Sequence, residues 1–349
     1  MPSSITNKTL PLAVSLGEPS GIGPEVILKS WLNRHQANLP IFFVIGRLEI
    51  IKKTAQKLQL DIPVTSISHP HEALSVFQEY LPVLEIEGED DFEFGSPSPK
   101  TASLVLGAIK TAVDLIIQSK AAGLVTAPIH KAILYEAGFT CPGHTEYLAE
   151  LCHENTGNHI APVMMLASDY LRVVPLTIHI PLEKVPTAIT ADLIQSTCHK
   201  IFHSLKMDFG IPAPRIAVAG LNPHAGEEGG MGLEEKNIIA PALENLQKLG
   251  MDIQGPLPAD TMFHQSARNQ YDAALCMYHD QALIPIKTLD FEGGVNVTLG
   301  LPIVRSSPDH GTALNIAGQN MAQETSMINA LKLAYKIHQN RQKWAENHV

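Results

Sequence analysis

The sequence predicts an α/β fold in which helices alternate with the strands of a largely parallel sheet. The first observation is the regular alternation of strand-type apolar runs with helix-type runs along the 349 residues. The second is the presence of glycine-rich turns between a strand-type run and the next helix-type run. The third is that three of the strand-type runs end in a histidine. In open α/β sheets, ligands bind at the carboxyl ends of the strands.

The predicted elements follow from local pattern, in chain order. Strands are predicted at residues 11–16, 40–45 and 123–127, and helices at 24–34, 49–58, 101–118, 191–205, 233–249 and 326–339. In 101–118 the apolar residues recur at helical spacing. Segment 85–99 is acidic and contains Gly, Ser and Pro, which predicts an exposed loop. No internal repeat is visible.

The three histidine-ending runs are residues 172–179, 215–224 and 271–279. Their histidines, His179, His224 and His279, are separated by 45 and 55 residues, which fits crossover connections and excludes a local zinc-finger arrangement. Three imidazoles at one sheet edge would hold a divalent ion and leave a position open for substrate. The alternative is that each histidine is structural or exposed, since the chain has 16 of them.

Composition excludes several classes of function. A formal net charge of −10 argues against a nucleic-acid partner, which needs clustered Lys and Arg. No apolar stretch approaches the roughly 20 residues that span a bilayer. The four cysteines form no CxxC pair and indicate reduced thiols in a cytoplasmic protein. The apolar run before residue 17 predicts a first strand and not a signal peptide.

Two further motifs lie between a strand and a helix. Residues 17–25 read GEPSGIGPE, which is neither the GxGxxG dinucleotide fingerprint nor a P-loop, so a simple tight turn is an open alternative. Residues 143–146 read GHTE before an apolar helix, where His144 or Thr145 would cap the helix and its N–H groups would favour an anion. The alternative is that His144 or Thr145 only caps the helix and that no anion binds there. Arg305 is one of few basic residues and has the geometry for phosphate or carboxylate oxygens.

Seven segments together carry a resemblance to a known family. They are GEPSGIGPE (17–25), VTAPIHK (125–131), GHTE (143–146), GLNPHAGE (220–227), GPLPADT (255–261), YHDQ (278–281) and NVTLGLP (296–302). From about residue 10 onwards the chain resembles the 4-hydroxythreonine-4-phosphate dehydrogenases, NAD-dependent enzymes of pyridoxal 5′-phosphate biosynthesis. Segments 17–25 and 310–318 (HGTALNIAG) are also similar to isocitrate and isopropylmalate dehydrogenases.

The resemblance implies a fold and an assembly. It implies two α/β/α domains with a cleft between them, of the isocitrate and isopropylmalate dehydrogenase type. We expect the first domain to comprise residues 1–135 and 297–349 and the second to comprise 136–296. The implied assembly is a homodimer with the active site at the interface.

The resemblance also implies roles for individual residues. The metal ligands for Zn, Co, Mn or Mg are His179, His224 and His279. The residues that bind a small phosphorylated four-carbon hydroxy acid are His144, Thr145, Lys287, Asn296 and Arg305. The residues that contact NAD or NADP are His310, Gly311, Thr312, Ala313 and Asn315.

The implied reaction is oxidation of 4-phosphohydroxy-L-threonine and decarboxylation of the resulting keto acid. Lys287 is expected to move the hydroxyl proton, and Asp260 and Asp280 to orient ligand imidazoles. Residues Ala282, Ile284, Ser307 and Pro308 depart from the family pattern beside the chemical groups, which bears on substrate specificity. There are two alternatives to this function. The first is a dehydrogenase that acts on a 4-phosphorylated erythronate or threonate. The second is a non-catalytic sensor of a metal or of phosphate.

Overall fold

The computed structural model describes residues 9–158 and 160–348, which form two compact units. The first unit is Met1–Ile160 with Leu301–His338, and the second is Ala161–Gly300 with Gln339–Val349. The domain bounds expected from the sequence, at 135/136 and 296/297, stay a prediction. Residues 136–160 group with the first unit because Leu148, Leu151 and Cys152 pack in one apolar cluster with Ala108 and Ile109.

The chain contains the following regular elements in its described part. The strands are β1 Leu12–Ser15, β2 Phe42–Gly46, β3 Val64–Ile67, β4 Leu81–Glu85, β5 Leu124–Thr126, β6 Val163–Ala167, β7 Arg172–Thr177, β8 Arg215–Ala219, β9 Asp252–Leu257, β10 Ala273–Tyr278, β11 Val295–Leu299 and β12 Arg305–Pro308. The α-helices are α1 Gly23–Leu32, α2 Leu48–Lys57, α3 Ala73–Val76, α4 Ala102–Ile117, α5 Lys131–Glu136, α6 His144–Thr156, α7 Val185–Ala188, α8 Ala191–Met207, α9 Ala240–Lys248, α10 Gln265–Arg268, α11 His279–Leu289 and α12 Thr325–Asn347.

The strands of the first unit run in the order β3-β4-β2-β1-β5-β12, and every pairing among them is parallel. Strands β1, β2 and β5 are buried along their whole length, as expected for a parallel sheet covered by helices. Helix α4 packs against β1 and β2 through its apolar face. The carboxyl ends of these strands therefore lie along one edge, where the connecting loops meet.

The strands of the second unit run in the order β11-β6-β7-β10-β8-β9. The pairings of β6 with β11 and with β7 are antiparallel, and the others are parallel. Strands β7 and β10 pair in a register that places Thr177 opposite Tyr278. Because both strands end at this point, the residues that follow them emerge side by side.

The α/β prediction is confirmed, and two predicted helices differ in extent. The helix predicted at 233–249 is a π-helical turn at Glu235–Ile239 followed by α9. The terminal helix, predicted to end at 339, continues to Asn347, where no Gly or Pro interrupts it and Arg341 bonds to the buried Asp208 carboxylate at 2.6 Å. Across residues 9–158 and 160–348, no helix combines the length and apolar character needed to cross a bilayer.

Candidate functional site

The glycine loop between β1 and α1 is held against the segment that follows β5. Gly17 has a φ of +75°, and a Cβ there would lie 2.5 Å from the carbonyl oxygen of Pro128. The backbone N–H of Glu18 donates to the same oxygen at 2.8 Å. A larger residue at position 17 would meet both backbone strain and a steric clash, so glycine is required here. Glycine at position 17 thus allows the loop to lie against the segment after β5.

The same loop contacts the segment proposed for the cofactor. The N–H of Ile22 donates to the carbonyl of Thr312 at 3.0 Å, and a Cβ on Gly21 would lie 2.8 Å from that oxygen. Gly311 borders open space, since nothing lies within 4 Å of its ideal Cβ position. The five residues predicted to contact the cofactor are all at least partly exposed; they are His310, Gly311, Thr312, Ala313 and Asn315.

Arg305 is the most buried cation of the first unit among the residues described. It is 4% exposed, and it begins β12, opposite Leu124 of β5. Its Nη2 donates to the hydroxyl oxygen of Thr126 at 2.7 Å and lies 3.4 Å from Nδ1 of His144. Burial lowers the pKa of Arg305 to about 10, so the side chain remains a cation at neutral pH. A buried guanidinium beside a neutral ring favours an anionic ligand.

His144 and Thr145 are the first two residues of α6, and neither caps it. The N-cap residue is Gly143, and this helix has no side-chain cap hydrogen bond within the described residues. The expectation that His144 or Thr145 caps this helix is therefore wrong, because both already have helical positions. The amino end of α6 carries the positive end of the helix dipole, and it lies beside Arg305. Three of the predicted substrate residues are thereby brought together.

Sequence reasoning missed two polar residues at this edge of the first unit. Thr126 is 1% exposed and ends β5, inside the VTAPIHK segment; its signal is a polar residue at a strand's carboxyl end. Glu18 is also 1% exposed, and burial raises the pKa of its carboxyl group although Ser20 and His130 oppose that rise. The sequence feature that could have identified Glu18 is an acidic residue within a glycine loop.

In the second unit, the structure brings two of the three predicted metal ligands together. The ring centroids of His179 and His279 are 5.7 Å apart, and Nδ1 of His279 lies 2.7 Å from a carboxylate oxygen of Asp280. A cavity of about 280 Å³ lies against both rings and is lined partly by Ile180 and Leu182. His279 therefore has Nε2 available, with its other nitrogen oriented by a carboxylate, as in many metal sites.

His224, the third predicted ligand, lies in a turn of unusual conformation. Residues His224, Ala225, Glu227 and Glu228 all have φ between +44° and +55°. The turn is anchored by Glu235, which accepts the backbone N–H groups of Leu221 and Asn222 at 2.7 Å each. In the described part of the chain, no three His, Cys, Asp or Glu side chains are arranged to hold an ion. Imidazole is a suitable ligand for a divalent ion, and the rings of His179 and His279 are neighbours.

The remaining predicted residues also belong to the second unit. Lys287 lies two turns after His279 on α11, with Nζ 5.6 Å from the centre of the Phe291 ring. Asn296 lies on β11, and its Oδ1 is buried without a hydrogen-bond partner among the residues described. Asp260 is exposed on the turn Ala259–Thr261. A buried amide oxygen with no partner is a group that a ligand would satisfy.

The fold and these clusters define an α/β protein that has a buried cation beside a helix amino end in one unit and a histidine pair at strand ends in the other. Comparison with known proteins gives the family. The family model "Pyridoxal phosphate biosynthetic protein PdxA" matches residues 38–334, and the chain belongs to this family.

Individual relatives agree with that assignment. A 4-hydroxythreonine-4-phosphate dehydrogenase of Bradyrhizobium diazoefficiens is 50% identical over 335 residues, which cover 94% of this chain and 96% of the relative. A 4-hydroxythreonine-4-phosphate dehydrogenase of Caulobacter vibrioides is 50% identical over 328 residues, which cover 94% of this chain and 97% of that relative. The crystal structure of the Klebsiella pneumoniae 4-hydroxythreonine-4-phosphate dehydrogenase superimposes with a TM-score of 0.85 at 35% identity, covering 95% of this chain and 98% of that one.

Proposed function

We propose that this chain oxidises 4-phosphohydroxy-L-threonine with NAD or NADP to the 3-keto acid, which then loses CO2 to give 3-amino-2-oxopropyl phosphate. This is a step of pyridoxal 5′-phosphate biosynthesis. Relatives that are 50% identical over almost the whole chain are named 4-hydroxythreonine-4-phosphate dehydrogenases. The observation that carries the proposal is the buried Arg305 beside His144 at the amino end of α6, a built site for an anionic group.

The proposal assigns the substrate contacts to two sets of residues. His144, Thr145 and Arg305 bind one anionic end of the substrate, for which the buried cation and the open helix end supply charge and donors. Lys287 and Asn296 supply the remaining polar contacts. The buried Oδ1 of Asn296 would accept a hydrogen bond from a donor group of the substrate.

The cofactor is proposed to bind along His310, Gly311, Thr312, Ala313 and Asn315. The contact of Ile22 and Gly21 with Thr312 supports a single backbone surface made by the glycine loop and this segment. Glycine at 311 leaves room for a ligand to approach the backbone closely.

His179, His224 and His279 are proposed to hold one divalent ion in the assembled homodimer. The ring spacing of His179 and His279 and the contact of Asp280 with His279 support two of the ligands. His224 is proposed to join them when a second copy of this chain is bound. An ion held there would supply a positive charge that stabilises negative charge on the substrate's reacting oxygen.

The residues of this chain then have defined tasks in the reaction. A nicotinamide held along residues 310–315 would take up the hydride from the hydroxyl-bearing carbon. Lys287 would accept the hydroxyl proton as general base. The product is a β-keto acid, whose carbon–carbon bond to the carboxylate breaks as CO2 leaves. The electron pair stays on the substrate carbon, which takes a proton. Asp280 keeps the His279 ring in place during both steps.

The test is a side-by-side measurement of NADH formation at about 340 nm with phosphorylated hydroxythreonine and with phosphorylated erythronate and threonate. We expect the hydroxythreonine phosphate to give the highest kcat/KM. Faster turnover of either hydroxy acid would assign the sister activity instead. Ligand binding with no NADH from any of the three would assign a sensor.

A further inference from the structure

Three side chains of the first unit form a linked polar cluster: Thr126, Arg305 and His144. Strands β5 and β12 pair in parallel with Arg305 opposite Leu124. Thr126 is two residues beyond Leu124 on β5, so it faces the same side of the sheet as Arg305. The long Arg305 side chain therefore runs along this face to the Thr126 hydroxyl and the first residue of α6.

The contacts of Arg305 indicate which nitrogen of His144 carries the proton. The Nη2 group donates to Thr126 Oγ1 at 2.7 Å and lies 3.4 Å from Nδ1 of His144. A guanidinium has no acceptor, so a hydrogen bond at this contact requires Nδ1 to be the unprotonated nitrogen of the ring. The proton of the neutral imidazole is then on Nε2, which is buried and has no hydrogen-bond partner in residues 9–158 and 160–348.

We infer that Thr126 is a positioning residue that holds Arg305 so that His144 is kept as its Nε2–H tautomer, with that N–H presented to an oxyanion of the substrate. This inference rests on the proposed function, and it deepens the role of the anion site. Arg305 would bind the oxyanion by charge, whereas His144 would bind it as a neutral, directional donor.

The surroundings of His144 agree with a neutral ring. Burial lowers the pKa of His144 well below 6.5, and the positive charges of Arg305 and Lys131 lower it further. The side chain of Thr126 supplies the acceptor that one Nη2 hydrogen needs, which leaves the other hydrogen for Nδ1. Without the Thr126 oxygen, this buried donor of the guanidinium loses its hydrogen-bond acceptor.

The experiment compares T126V, T126S and the matched control T54V. Thr54 is also 1% exposed and in the first unit, but its hydroxyl donates to Ile50 within α2. The ¹⁵N shifts of the His144 ring in the ligand-free protein report the tautomer, and calorimetry with inorganic phosphate reports anion binding. Steady-state kinetics give kcat and KM for the phosphorylated substrate and for NAD.

We expect the wild-type His144 to carry its proton on Nε2. T126V should mix the tautomers, weaken phosphate binding and raise the substrate KM by about tenfold, with smaller effects on kcat and on the KM for NAD. T126S should restore the wild-type values to within about twofold, and T54V should match wild type throughout.

Three results would overturn the inference. A wild-type His144 with its proton on Nδ1 does so even if T126V does not fold. The inference is also wrong if T126V has the same His144 tautomer and phosphate affinity as T54V. It is wrong as well if T126S loses as much phosphate affinity and raises the substrate KM as much as T126V. Because the ring shifts and the phosphate titration need no turnover, failure of the proposed reaction is distinguishable from failure of this inference.

Discussion

The imidazole rings of His179 and His279 lie 5.7 Å apart, each just beyond the end of its strand. The parallel register that sets Thr177 opposite Tyr278 produces this pairing. His179 also has a φ of +52°, a conformation that costs a non-glycine residue about 1–3 kcal/mol. Strain of this kind at a strand end is typical of a functional position, and it supports a shared task for the two rings.

Asp280 is expected to strengthen metal binding through His279. D280N removes the negative charge that faces Nδ1 at 2.7 Å, so affinity for the divalent ion should fall by about 10–100-fold. A competition titration against a chromophoric chelator measures it. The matched control is D169N, since Asp169 is also an exposed aspartate of the second unit. Equal affinity in D280N and D169N would remove Asp280 from the metal site.

Gly21 is expected to matter for the cofactor. In G21A the new Cβ would meet the Thr312 carbonyl at 2.8 Å and displace the 310–315 segment. A cost of about 1–3 kcal/mol from overpacking would raise the KM for NAD by about tenfold or more, with a smaller change in the substrate KM. G107A is the control. Gly107 lies within α4, and a Cβ there would meet Ile86 at 3.5 Å, an ordinary contact distance. Alanine favours a helix over glycine, so G107A should stabilise the protein slightly. An unchanged KM for NAD in G21A contradicts the cofactor assignment.

His144 is expected to make stability depend on pH. Burial, with Arg305 and Lys131, holds the pKa of His144 well below the ordinary 6.5 that it regains on unfolding. Between those two values the unfolded chain binds more protons, so the free energy of unfolding falls as the pH drops below about 6.5. Urea unfolding measures this free energy at about pH 7.5 and about pH 5.5. The decrease between the two pH values should be smaller in H144Q than in wild type. Equal losses in both proteins would mean that His144 titrates normally.

Arg341 is expected to stabilise the second unit. The Asp208 side chain is only 2% exposed and accepts from Nε of Arg341 at 2.6 Å. R341A leaves that carboxylate buried without its partner, which should lower the free energy of unfolding by about 3–5 kcal/mol. K343A, an exposed lysine of the same helix, should change it by less than about 0.5 kcal/mol. Similar urea midpoints for the two variants would show that the pair contributes little.

Local pattern predicted much of this fold because its strands and helices have unambiguous periodicity. Strand β1, predicted at 11–16, is Leu12–Ser15, and α4, predicted at 101–118, is Ala102–Ile117. The extent of α12 depended on a tertiary contact, that of Arg341 with Asp208, which no local pattern contains. Periodicity therefore gives the elements, whereas contacts distant in sequence set some of their ends.

The candidate site was predictable in kind but not in arrangement. Strand-end position identified His179 and His279, because parallel strands end at a common edge. Arg305 was identified instead as one of few basic residues in the chain. Thr126 was missed because its role depends on the register of β5 with β12, which the sequence does not display. The turn at His224 has a left-handed conformation that its residue types do not predict.

The most direct test of the account is turnover of 4-phosphohydroxy-L-threonine with NAD by metal-free protein, followed by addition of one divalent metal at a time. We expect no NADH from the metal-free protein, recovery with at least one of Zn, Co, Mn or Mg, and no recovery in H224A, which should also bind less metal. Full activity of the metal-free protein, or of H224A without bound metal, would contradict the assignment of His179, His224 and His279.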